Sequence, residues 1–158
     1  MVKIIAVGNP AYGDDGIGAA VLDVLRAGDH GADVELIDIH TDALAMIDHF
    51  TPDAKHVIID AANMGETPGR VVRFTPDEAR LRINWDHLSM HGFGLAETFA
   101  LAKTIDEMPK DVVIIGVEPE IVELDRGLSP AIEAAIPEVV SLIQTEVRGN
   151  VEANHPGR

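Results

Sequence analysis

Gly8-Asn9-Pro10-Ala11-Tyr12-Gly13-Asp14-Asp15-Gly16-Ile17-Gly18 follows the apolar run Val2 to Val7 and leads into apolar residues at helical spacing, Ile17, Val21, Leu22 and Leu25. A strand, a glycine-rich turn and a helix over 14–27 are therefore expected, and the extended run Val34 to Ile39 completes a βαβ unit. Two adjacent carboxylates stand where the helix begins, and no basic residue accompanies them. A loop that cradles phosphate offers N–H groups and positive charge to an anion, so aspartates at this spot would repel such a ligand. A cation suits the turn better. The positive pole of the helix keeps a nearby carboxylate ionised and ready to coordinate metal.

The rest of the chain repeats the alternation. A second amphipathic helix is predicted over 42–50, a strand over 56–60, a short strand over 70–74, a helix over 94–108, a buried strand over 112–117 and a last helix over 129–147. Ser129-Pro130 supplies an N-cap followed by proline at the first helical position. Pro137 is expected to kink or split that helix. This pattern predicts a three-layer α/β/α sandwich on a mostly parallel sheet of about five strands. The strand at 70–74 is the candidate for antiparallel pairing, because the loop of about ten residues before it is too short for a helical crossover. Residues 1–148 read as one domain, and 149–158, with Gly, Asn, His and Pro, as a flexible tail.

At 158 residues the chain buries about 68–70% of its unfolded surface, enough for a real core. No apolar stretch approaches the roughly 18 residues of a membrane span, and the N-terminus enters a strand directly, so a cytoplasmic protein without an export signal is expected. With 27 acidic and 12 basic side chains the net charge is −15, which opposes nucleic acid and anionic membranes as partners. Cysteine is absent, removing disulfides, thiolate ligands and cysteine nucleophiles together. The three serines, Ser89, Ser129 and Ser141, lie outside any Gly-x-Ser-x-Gly elbow. Hydrolytic chemistry here would draw on metal, held by oxygen and imidazole.

In open α/β sheets ligands bind at the carboxyl ends of the strands. Those ends are acidic in this chain: Asn9, Asp14 and Asp15 after the first strand, Asp38 and His40 at the second, Asp60 at the third, Glu118 after the fifth. A polar stretch, Asp86-His87-Leu88-Ser89-Met90-His91-Gly92-Phe93-Gly94, precedes the predicted helix over 94–108. Taken in order, Gly8-Asn9 with Asp14-Asp15-Gly16-Ile17-Gly18, Ile59-Asp60-Ala61, Ser89-Met90-His91-Gly92-Phe93-Gly94-Leu95, Ile115-Gly116-Val117-Glu118-Pro119 and Leu128-Ser129-Pro130 resemble the hydrogenase maturation endopeptidases. The motifs run from about residue 4 to about residue 145, nearly the whole chain.

The resemblance implies a cytoplasmic protease that removes a C-terminal extension from the large-subunit precursor of a nickel-iron hydrogenase after nickel insertion. It implies nickel as the metal, carried by the precursor, with Asp15, Asp60 and His91 as ligands. It departs from some branches after the second strand, where Asp38-Ile39-His40-Thr41-Asp42 replaces a segment of Asp-Gly-Gly-Thr character. Two carboxylates and one imidazole suit a borderline divalent ion such as Ni²⁺ or Zn²⁺ and leave positions open for substrate or water. The ion could polarise the scissile carbonyl or activate water, with Asp14 or Asp38 as auxiliary proton acceptor.

Each residue also has a plainer role. Asp14 or Asp15 could cap the first helix, Asp60 could form a strand-end turn, and His91 could be a surface imidazole. His30, His49, His56, His87 and His155 are taken as background. Among alternative functions, an acid at the second strand end also serves dinucleotide-binding oxidoreductases. Here, however, glycines 8, 13, 16 and 18 miss the Gly-x-Gly-x-x-Gly spacing, so no dinucleotide is expected. A noncatalytic assembly factor for a metalloprotein, which would leave its client's mass unchanged, is the second alternative. A metallopeptidase holding its own ion is the third.

Overall fold

β-Branched residues crowd the strands, and the computed structural model, which describes residues 1–83 and 94–154, joins five of them into one sheet. The strands are β1 (Val2–Ala6), β2 (Val34–Asp38), β3 (Lys55–Ala61), β4 (Val71–Phe74) and β5 (Val112–Val117), in the spatial order β2-β1-β3-β5-β4. The first three and β5 run parallel, with Ala6 level with both Asp38 and Ile59, and Asp60 level with Gly116. β4 is antiparallel as expected, and its partner is β5, which separates it from β3. Residues 62–70 therefore span the width of an inserted strand, roughly 10 Å, which a short loop covers easily.

The side-chain period of two divides the core into two layers. On one face Ile4, Ala6, Val57, Ile59, Val113 and Ile115 pack against α1 (Ile17–Ala27) and α5 (Pro130–Asn154). On the other, Ile5, Ile58, Ile114 and Phe74 pack against α2 (Met46–His49) and α4 (Leu95–Thr104), with the short α3 (Ala79–Arg82) beside them. The predicted helix over 42–50 is a 3₁₀ turn, Ala43–Ala45, continued by α2. The apolar stripe read from the sequence, Ile17, Val21, Leu22 and Leu25, is the buried face of α1.

Two expectations for the last helix change. It is neither split at Pro137 nor ended near residue 147, but continues as one element through Asn154, so residues 149–154 are helical and not a loose tail. Pro137 removes the N–H that would bond the carbonyl of Glu133. Both residues are exposed, so that carbonyl can bond water. On the opposite side Ile132, Ala135, Val139 and Ile143 are buried at helical spacing and hold the helix to the sheet.

Candidate active site

The strand order places the site. The chain goes from β1 outward to β2, then returns past β1 to β3, which opens a crevice at the carboxyl ends of β1 and β3. The loop after β1 is fastened on both sides: Val7 N–H donates to Ile59 O at 3.0 Å and Gly8 N–H to His40 O at 2.7 Å. Gly8 has φ 138°, and a Cβ there would stand 2.1 Å from the carbonyl oxygen of Asp15. Only glycine lets the strand end pass so close under the acidic turn. Gly18 performs a similar service in the first turn of α1, where a Cβ would lie 2.9 Å from that of Ala6.

Asp14 and Asp15 sit in a 3₁₀ turn, Gly13–Gly16, and both are buried. Neither caps α1, whose N-cap is Gly16 without a side-chain bond. Their environments differ sharply. Asp14 Oδ2 accepts from the N–H of Glu120 at 2.8 Å, the N–H of Ile121 at 2.7 Å and Ser129 Oγ at 2.8 Å, while Oδ1 accepts from Ser129 N–H at 2.7 Å. Burial alone would raise its pKa, but these donors outweigh that and hold it below the ordinary aspartate value. With three donors on one oxygen and one on the other, this carboxylate is committed to holding the fold together. Asp14 therefore has a structural role, whatever part it plays as the auxiliary proton acceptor named above.

Asp15 accepts from Asn9 N–H at 2.8 Å through Oδ2. Its charge reaches Asp60 at the end of β3. The Asp60 carboxyl is pushed well above the usual aspartate range, first by loss of hydration and second by the negative charge of Asp15. Two of the three expected ligands, drawn from two strand ends, therefore share one electrostatic field. His91, the third, lies outside the described residues. Gly94 is the N-cap of α4, whose Leu95, Phe99 and Ala102 pack in the layer that contains Ile58, on the same side-chain face as Asp60. Among the described residues no group of three or more metal-ligating side chains comes together.

Asp38 is not joined to this pair. It stands level with Ala6 and Ile59, one row short of Asp60, and strand alternation turns that row to the opposite face. Its Oδ1 accepts from His40 N–H at 2.9 Å, closing a turn in which His40 adopts φ 54°. Glu118, read from the sequence only as an acidic strand end, proves to be a second clamp. It is buried, and its two oxygens accept from the N–H groups of Met64 at 2.8 Å and Glu66 at 3.0 Å. The loop from β3 toward β4 is fixed beside Asp60 in this way. Nothing local announces such a role, because the partners lie more than fifty residues away.

Comparison with known proteins bears on the family and the fold. The HycI family model, hydrogenase maturation protease, matches residues 21–146, which take in Asp60 and His91. The chain belongs to the hydrogenase maturation protease family. Members of that family are hydrolases that act as endopeptidases. Among relatives, the hydrogenase expression/formation protein HoxM of Cupriavidus necator is 30% identical over 91% of this chain and 74% of its own length. The hydrogenase 2 maturation protease of Escherichia coli is 26% identical over 96% and 94%. The match to the HupD protein of Thiocapsa roseopersicina, 29% identical, spans 66% of that protein's length. The solved hydrogenase maturating endopeptidase HybD from Escherichia coli superposes with a TM-score of 0.79 at 25% identity, covering 94% of this chain and 93% of that one. The five-stranded mixed sheet flanked by helices is thus the fold of this protease family.

Proposed function

We propose that this member of the family is an endopeptidase that removes the C-terminal extension of a nickel-iron hydrogenase large-subunit precursor once nickel is in place. The precursor's own nickel is the feature it recognises. The observation that supports this most directly is the meeting of Asp15 and Asp60 at the switch point of the sheet, close enough for one charge to oppose ionisation of the other. Such a pair is costly when left to itself and is relieved by a shared cation. Asp15 and Asp60, joined by His91, would hold the ion through two carboxylates and one imidazole, a donor set matched to a borderline divalent metal.

Because the ion belongs to the client, its binding doubles as a test that nickel insertion is complete. Bound between client and protease, it supplies Lewis acidity at the scissile peptide. The chain's own contribution is placement. Gly8 admits the acidic turn, Asp14 fixes it, and Glu118 fixes the loop on the other side of Asp60.

The deciding measurement is mass spectrometry of nickel-loaded and nickel-free precursor after incubation with the protein. Shortening of the loaded form alone is expected. Shortening of both forms would remove nickel from the recognition step, and unchanged mass in both would favour a noncatalytic assembly factor.

A further inference from the structure

We propose that Asp14 is a positioning residue: its carboxylate locks residues 119–129 and the turn carrying Asp15 into a single body, and so determines where Asp15 stands. This rests on Asp15 being a ligand of the client's metal, as argued above. Residues 119–129 form neither helix nor strand, and 122–127 are exposed. Their attachment is to the turn. Asp14 grips both ends of the segment, through Glu120 and Ile121 at one end and Ser129 at the other. Main-chain bonds complete the seam: Asp14 N–H to Ile121 O at 2.8 Å, Gly13 N–H to Arg126 O at 3.0 Å and Asp125 N–H to Ala11 O at 2.8 Å.

Asp15 follows Asp14 directly and shares its peptide unit, with its own N–H donating to Tyr12 O at 3.2 Å. A shift of Asp14 is therefore transmitted to Asp15 without an intermediary. The core depends little on this clamp. Within 119–129 only Leu128 packs against a core layer, and only partly. A fully buried charge spent on an exposed segment has local consequences, and the nearest local feature is the metal-facing carboxylate.

Asparagine has the same shape but cannot reproduce the clamp. Whichever way its amide turns, the NH₂ faces either Ser129 N–H or the N–H pair of Glu120 and Ile121. Ser129→Ala is gentler, since it removes one donor and leaves the three main-chain donors in place.

The test compares wild type, Asp14→Asn and Ser129→Ala at a temperature where circular dichroism shows all three folded. Deuterium exchange is followed in peptides covering 9–16 and 119–129, together with kcat and KM for shortening of nickel-loaded precursor and calorimetric titration with Ni²⁺ alone. For Asp14→Asn, exchange should rise in both segments together but not in β1, β3 or β5. Its kcat should fall roughly 10- to 100-fold with KM little changed, the scale of a displacement of about 1 Å in a reacting geometry. Ser129→Ala should lose less than about tenfold in kcat, in the same direction. A merely stabilising residue would lower the melting temperature and leave kcat of the folded enzyme alone. The inference is overturned if Asp14→Asn, fully folded, keeps kcat within about twofold of wild type, or if only one segment loosens. Should Asp14→Asn fail to fold, Ser129→Ala decides on the same readouts, and unchanged kcat with unchanged exchange overturns the inference. If wild type itself leaves loaded precursor intact, the functional reading fails. Joint loosening with weaker Ni²⁺ binding then sustains the positioning role, and its absence removes it.

Discussion

Toward the amino end of the sheet, Glu146 of α5 accepts a hydrogen bond from Arg73 and pairs with Lys55 at 2.9 Å, while the N-terminal ammonium meets Asp33 at 2.9 Å. At the carboxyl end, Asp14 and Glu118 are held by N–H and O–H donors, and Asp60 faces the like charge of Asp15. Burial alone would raise the pKa of both Glu146 and Asp60. For Glu146 the guanidinium of Arg73 and the ammonium of Lys55 reverse that tendency and hold the carboxyl below the glutamate range. For Asp60 the second influence has the same sign as the first, and the carboxyl rises. One end thus sets acid against cations, whereas at the other Asp60 meets a like charge, which disfavours its ionised form.

The sharpest way to break this contrast is to remove the side chains proposed as ligands. Asp15→Ala and His91→Ala are each expected to abolish precursor shortening, a loss of at least about 100-fold, with the circular dichroism spectrum and cooperative unfolding retained. Normal processing by either variant, read by mass spectrometry, would take that residue out of the site. Next in size is Gly8→Ala, where a left-handed backbone and a Cβ 2.1 Å from the Asp15 carbonyl oxygen leave no room. A loss of roughly 3 kcal/mol is expected in urea unfolding.

A matched pair of neutral variants then tests the signs. Asp60→Asn should raise the denaturation midpoint of the metal-free protein at pH 7 while eliminating processing. A raised folded-state pKa means that ionisation penalises the fold, a penalty that appears as pH climbs through the aspartate range and is absent in acid. Glu146→Gln should destabilise by about 1 kcal/mol at pH 7. Its folded-state pKa is depressed, so the glutamate's contribution is complete above the ordinary value and fades as pH falls through the folded one. Equal signs for the two variants in urea titrations at pH 7 would dissolve the comparison.

The smallest effect concerns His56, fully buried at the amino end. Its Nε2 accepts from Thr51 N–H at 3.2 Å, its Nδ1 lies 3.2 Å from Asp111 O, and burial lowers its pKa. The neutral ring is the folded form. Its stabilising share is present above about pH 6.5 and declines as the solution is acidified, because the unfolded chain takes up the proton first. The slope of unfolding free energy between about pH 6.5 and 5 should therefore be shallower in His56→Gln.

Much of this molecule was legible in its residues. The β5 strand over 112–117 has the bounds its apolar run suggested, the buried stripe of α1 is the one read from spacing, and alternation of strands and helices gave the layer order. These are short-range properties, set by side-chain periodicity along a few turns or pleats. Residue types also selected the chemistry, since a chain without cysteine and with acid at its strand ends is left with oxygen and imidazole donors. Folding alone decided the rest. It set β5 between β3 and β4, kept α5 whole across Pro137 because that residue faces water, and brought Asp60 within the field of Asp15 while strand alternation turned Asp38 away. Above all it divided two neighbouring aspartates, identical in type and adjacent in the chain, into a clamp and the carboxylate we propose as a ligand. That difference comes from which one meets the N–H groups of residues 120–129, and those donors arrive from more than a hundred positions away.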